Sequence, residues 1–145
     1  MLEMNTLLVP VDFSEASKRA FDDAVRLASG SEPAVILLHV IDAGLVEFAT
    51  SHGLATEEEI VRRMRERADR ELSSYGGRAA KKVDVQLVVS IGIPFLEIVK
   101  KAEEFQADGI VMGKFGRRGR VEKLLFGTTA EKVIRWATCP IIVIP

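Results

Sequence analysis

Continuous apolar runs at residues 6–11, 34–41, 83–89, 109–112 and 141–144 alternate along the chain with segments whose apolar residues recur every three or four positions. A short continuous run suits a strand buried on both faces, and the three-and-four spacing marks one stripe of a helix. The first helical segment carries Ala16, Ala20, Phe21, Ala24, Val25 and Ala28 on one side and stops at Gly30. In the second, Thr56 and Glu59 have capping-box spacing, and Ile60, Val61, Met64, Ala68 and Leu72 follow along one face. The third begins at Gly92-Ile93-Pro94, where a proline fits the first helical turn, and turns Phe95, Ile98, Val99, Ala102 and Phe105 inward. A fourth covers 128–137. The predicted order is βαβαβαβαβ. Strands separated by helices run parallel, and right-handed crossovers lay the helices on both faces of the sheet, which gives an α/β fold.

Length and charge narrow the class further. With 145 residues, 48% of them hydrophobic, the chain is expected to be a single domain over 1–145. A chain of this size hides about 68–70% of its unfolded surface, so it needs no disulfide or metal merely to fold. Its 20 Lys and Arg against 21 Asp and Glu leave a net charge of -1, which argues against a nucleic-acid partner or an anionic membrane. No apolar run approaches the roughly 20 residues of a membrane-spanning helix. The first residues put no basic residue ahead of an apolar stretch and offer no small-residue cleavage site, so the expected location is the cytoplasm. Cys139 reads as a small buried thiol, and with only His39 and His52 beside it in composition a zinc site is not expected. On the second helix, Glu58/Arg62, Glu59/Arg63 and Glu66/Arg70 are spaced for exposed ion pairs. Residues 42–55 form the one long connection, mixing Leu45, Val46 and Phe48 with polar positions, and read either as a lid or partner surface or as a partly ordered surface loop.

Ligands of open parallel sheets sit beyond the carboxyl ends of the strands, where the winding reverses. Two such ends carry suitable chemistry. At Pro10-Val11-Asp12-Phe13-Ser14 a carboxylate stands at the strand-to-helix turn, able to meet a ribose hydroxyl or to cap the helix, with Ser14 as another cap. After the fourth strand, Gly113-Lys114-Phe115-Gly116-Arg117-Arg118-Gly119-Arg120 leads to Gly127-Thr128-Thr129 at a helix start. Glycines that let a backbone approach an anion, hydroxyls, cations and a helix N-terminus together suit phosphate. The alternative makes the glycines turn residues and Thr128 with Glu131 another capping box. Lys114, Arg117, Arg118, Arg120 and Lys123 concentrate positive charge there, opposed only by Glu122. The segment has neither GxxxxGK[ST] nor, after the first strand, GxGxxG, so it is neither of those two phosphate motifs.

These residues resemble the universal stress protein family along the whole chain. The resemblance rests on residues 7–14, on Ile36-Leu37-Leu38-His39-Val40-Ile41-Asp42, on Gly92-Ile93-Pro94, and on the glycine segment running into residues 137–144. It implies a doubly wound, flavodoxin-like sheet of order 3-2-1-4-5. One branch of the family binds ATP through GxxGx9G[ST]. Here Gly113, Gly116, Gly127 and Thr128 match it, except that ten residues rather than nine separate Gly116 from Gly127, with the extra one near 118–120. By the same resemblance Asp12 would meet the ribose, the main chain of Val40 the adenine, Pro10, Val11 and Met112 the pocket walls, and Thr129 the phosphates through its N–H. Arg117, the first cation after Gly116, completes the expected nucleotide contacts. The resemblance implies a regulatory stress-response protein that couples adenine-nucleotide occupancy to an unidentified protein partner, with ATP, with or without Mg2+, or else AMP or ADP as ligand. A slow ATPase or phosphoryl-transfer enzyme is a second reading, poorly supported because only Asp12 and Glu122 offer carboxylates near the glycines; no catalytic residue is assigned. A third is a dimeric interaction module binding AMP or no nucleotide. A homodimer through Ile141–Ile144 is expected, because this strand falls at a sheet edge and the family often dimerises there.

Overall fold

In a computed structural model the chain is described over residues 3–76, 83–116 and 126–145. In chain order the elements are β1 (Thr6–Pro10), α1 (Glu15–Leu27), β2 (Ala34–Asp42), α2 (Ala43–Ser51), α3 (Glu57–Gly76), β3 (Asp84–Gly92), α4 (Pro94–Glu104), β4 (Gly109–Gly113), α5 (Thr128–Trp136) and β5 (Ile141–Ile144). The strands form one parallel sheet in the order β3-β2-β1-β4-β5. The chain therefore winds outward from β1 through β2 to β3, then crosses back to β4 on the other side of β1.

Side chains of successive strand residues point to opposite faces, so continuous apolar runs build two cores at once. Leu7, Val9, Val35, Leu37 and Val111 pack with Phe21 of α1 and with Leu72 and Tyr75 of α3. Leu8, Ile36, Leu38 and Ile110 pack on the opposite side with Ile98, Ala102, Ala130 and Val133 of α4 and α5. Each fully buried Leu, Ile or Phe contributes about 1.5–3 kcal/mol relative to an exposed one, which makes these strands the rigid floor of the molecule. Phe21 and Tyr75 meet edge to face at 5.3 Å, joining α1 to α3.

Three expectations need correction. Most of the connection 42–55 is helix and not loop: Asp42 Oδ1 accepts the Gly44 N–H at 2.8 Å and opens the helix α2, and only residues 52–55 remain outside regular structure. Val46 is the one residue of α2 that is buried, packed with Ile41 and Ile60, while Leu45 and Phe48 stay exposed. A helix held by one buried position leaves no stripe to read. Of the ion pairs expected on α3, Arg63 reaches Glu59 at 2.6 Å, whereas Glu58/Arg62 and Glu66/Arg70 do not pair; exposed pairs gain too little to hold long side chains in place. Of the capping box only Thr56 Oγ1 accepting the Glu59 N–H at 3.3 Å is formed, while the Glu59 carboxylate accepts from Arg63. The third strand runs on to Gly92, beyond the expected 89, because β2 continues to Asp42 and pairs with it throughout.

Candidate functional site

Beyond the carboxyl ends of β1, β2 and β4 lies a cavity of about 600 Å³, within the usual range of small-molecule sites. Pro10, Val11, Asp12, Val40, Met112, Gly113, Gly116, Gly127, Thr128 and Thr129 all line it. Arg117, with Arg118, Arg120, Glu122 and Lys123, lies outside the described residues.

The β1–α1 turn supplies the carboxylate. Ser14 caps α1, its Oγ accepting the Ser17 N–H at 3.2 Å, while Asp12 Oδ1 accepts the Ser14 N–H at 3.0 Å. The helix cap thus belongs to Ser14. Asp12 turns its other oxygen to the glycine segment: a Cβ at Gly116 would stand 2.5 Å from Oδ2, so a side chain there would displace the carboxylate. Between them Phe13 adopts φ +67°, a left-handed conformation that costs a residue with a Cβ about 1–2 kcal/mol. Its ring stacks on His39 with centroids 4.5 Å apart, and His39 Nδ1 donates to Val11 O at 2.8 Å.

The end of β2 supplies a main-chain edge. Leu38 O accepts the Val11 N–H at 2.8 Å, and β1 pairs with β2 no further than Pro10↔Leu38. Alternate residues of a parallel strand direct their N–H and C=O to the same neighbour. Val40 therefore presents both groups on the β1 side, above the point where β1 has turned away and the cavity begins.

The opposite wall is β4 and the start of α5. Lys114 O accepts the Gly127 N–H at 2.8 Å, so the two ends of the glycine segment are clasped together. Gly127 is the N-cap of α5, with no capping side chain, and the first helical bond runs from Glu131 N to Gly127 O. The N–H groups of Thr128, Thr129 and Ala130 consequently have no acceptor within the helix, and all three residues line the cavity. Because Gly127 and not Thr128 takes the N-cap, the Thr128–Glu131 capping box does not form, and Glu131 pairs with Arg135 at 3.0 Å. Lys114 Nζ lies over the rings of Phe115 and Phe126, at 5.6 and 5.7 Å. Gly113 lines the cavity and also serves packing, since a Cβ there would stand 2.8 Å from Ala16 Cβ and the bare glycine lets α1 close on β4.

A further wall escaped sequence reasoning. Leu45 of α2, Met64, Arg67 and Ala68 of α3, and Pro94 and Ile98 of α4 also line the cavity. Met64, Arg67 and Ala68 share a helix face by their spacing, and a cation set in that otherwise apolar stripe was the signal available. Cys139 packs against the α4–α5 core and does not line the cavity; burial, with the nearby Asp108 carboxylate, pushes its thiol pKa up. Among the described residues no group of three or more His, Cys, Asp or Glu side chains is placed to hold a metal ion, and no helix is long and apolar enough to cross a membrane.

The family model described as the universal stress protein family matches residues 4–145. A universal stress protein of Methanothermobacter thermautotrophicus is 32% identical over 97% of this chain and 96% of its own length. The solved structure of MJ0577 from Methanocaldococcus jannaschii, at 29% identity, superposes with a TM-score of 0.85 over 97% of this chain and 95% of that one. A universal stress protein from Archaeoglobus fulgidus, solved in complex with dAMP, is similar over the full length of both chains at 27% identity and a TM-score of 0.60.

Proposed function

The chain belongs to the universal stress protein family, and from that premise we propose that it is a regulatory protein whose cavity takes an adenine nucleotide, ATP first among them. The observation that carries this reading is the start of α5, where three main-chain N–H groups without helical acceptors open onto the cavity beside Gly116 and Asp12. Uncapped N–H groups and the positive end of the helix dipole favour phosphate. Asp12 is the group for a ribose hydroxyl, and the main chain of Val40 offers a donor and an acceptor to the base. The dAMP complex of the Archaeoglobus relative supports the ligand class. Pro10, Val11 and Met112 serve as walls, Gly116, Gly127, Thr128, Thr129 and Arg117 as the phosphate side, with Gly113 fixing β4 against α1. Mg2+ would enter with the triphosphate, bound to its oxygens.

Protein purified without added nucleotide and then denatured is expected to release an adenine nucleotide, identified by mass spectrometry, and the emptied protein to bind ATP with Mg2+ in a calorimetric titration. Failure of both measurements would sink the reading. AMP released alone, with no heat from ATP, would replace ATP by the monophosphate.

Occupancy is proposed to act through association. Pro140 O and Ile144 O bond to β4, through Ile110 N and Lys114 N, so Ile141 and Val143 direct their main-chain groups to the open edge of β5. Half-buried β5 residues and the exposed Ile134 and Trp136 just before them make this the proposed homodimer edge. Val143→Pro removes an edge donor without touching the β4 ladder. Light scattering at micromolar concentration is expected to show a dimer for the parent chain and a monomer for the variant. A variant that remains dimeric would move the interface elsewhere.

A further inference from the structure

In a regular parallel ladder β1 would receive one more bond from β2. Val9, Val11, Leu38 and Val40 are the residues whose main chains face each other, and after Val11 N–H donates to Leu38 O the next bond would run from Val40 N–H to Val11 O. Among the described residues that bond is absent. Its acceptor is occupied instead by a side chain, His39 Nδ1 at 2.8 Å, and because a carbonyl only accepts, Nδ1 carries the hydrogen. The same imidazole stacks on Phe13, the residue held at φ +67° next to Asp12. One side chain thus holds both ends of the turn that separates β1 from β2.

We infer that His39 is a positioning residue for base recognition: by taking Val11 O it keeps the Val40 N–H out of the β1 ladder and turned to the cavity, and by stacking on Phe13 it holds the turn that carries Asp12. This rests on the reading of the cavity as an adenine-nucleotide site. Without the His39 donor, Val11 O would be left without its partner at the sheet end, and the nearest replacement is the Val40 N–H, whose capture closes the edge the base would use.

The test combines two substitutions with a measurement that needs no nucleotide. His39→Phe keeps a stacking ring and removes the donor, whereas His39→Asn keeps an N–H near the position of Nδ1. AMP, which depends most on base and ribose, is expected to bind His39→Phe at least tenfold more weakly than the parent, and His39→Asn within about threefold of it. Scalar coupling across a hydrogen bond from Val40 N to the Val11 carbonyl carbon is expected to be undetectable in the parent chain and detectable in His39→Phe. Finding that coupling in the parent would overturn the inference without any variant, as would parent-like AMP binding by His39→Phe or equal losses in both variants. If the parent chain binds no adenine nucleotide, the proposed function fails, and the coupling comparison alone then decides whether His39 keeps Val40 out of the ladder.

Discussion

Gly127→Leu is expected to lower ATP affinity by about a hundredfold, a loss of about 2.7 kcal/mol, while the thermal midpoint moves little. A Cβ at this position would stand 3.3 Å from Lys114 O, 3.4 Å from Phe115 Cα and 3.5 Å from Gly116 N, all main-chain atoms of the clasp. An alanine asks only Lys114 O to give by tenths of an ångström, the other two distances being ordinary contacts; the rest of a leucine has to be accommodated by the clasp or by the cavity in front of it. Gly127 itself has φ -62° and ψ 157°, open to any residue, so the substitution strains the site and not the backbone conformation. Calorimetric titration beside a melting curve checks the result. An unfolded variant, or one that binds ATP as the parent does, would show that the close approach at Gly127 serves something else.

Gly113→Val is expected to fail in the opposite way, by losing stability. The added Cβ would meet Ala16 Cβ at 2.8 Å and the Ala16 carbonyl carbon at 3.2 Å, and a helix backbone cannot swing aside as a side-chain tip can. Overpacking of this kind costs about 1–3 kcal/mol, and the second branch of valine puts the expected cost at the upper end. Urea unfolding should show a lower midpoint with an unchanged slope. Ala16→Gly in the same chain should return part of the loss as a coupling of at least about 0.5 kcal/mol, after allowance for the helix cost of a glycine. A Gly113→Val chain as stable as the parent would mean that α1 can shift on β4. The two glycines belong to one sequence motif and look equivalent in it, yet a Cβ at Gly127 would meet the main chain of the clasp and one at Gly113 the backbone of α1.

That difference marks where sequence reasoning stops. The five strands were legible because burial on both faces forces runs such as Leu7-Leu8-Val9, and the return from β3 to β4 follows from the family resemblance. The Thr128 turn could be singled out because glycines, hydroxyls and a helix start coincide there. Helix α2 was hidden because only Val46 is buried on it, so no periodicity records its existence. Arg67 interrupts the apolar stripe of Met64 and Ala68, but that spacing does not say what the stripe faces, and the packing of α3 beside the strand ends puts it at the cavity. His39 stands in a family-like stretch with no role visible from the sequence, since its partner is a main-chain oxygen that carries no sequence signature. Asp12 could be read as cap or ligand contact, and Ser14 taking the cap is a fact of geometry that both readings of the sequence allowed.

The brevity of α5 has an optical consequence. Its first turn opens on the cavity and its last residue is Trp136, the chain's single tryptophan, 62% exposed. At about 1.5 Å of rise per residue its Cα stands about 12 Å along the axis from that of Thr128, and Trp136 does not line the cavity. Trp136 emission is therefore a built-in gauge of the edge rather than of the ligand: a spectral shift on nucleotide addition would report that the helix or its neighbours had moved, and constant emission would mean that occupancy stays a private matter of the cavity.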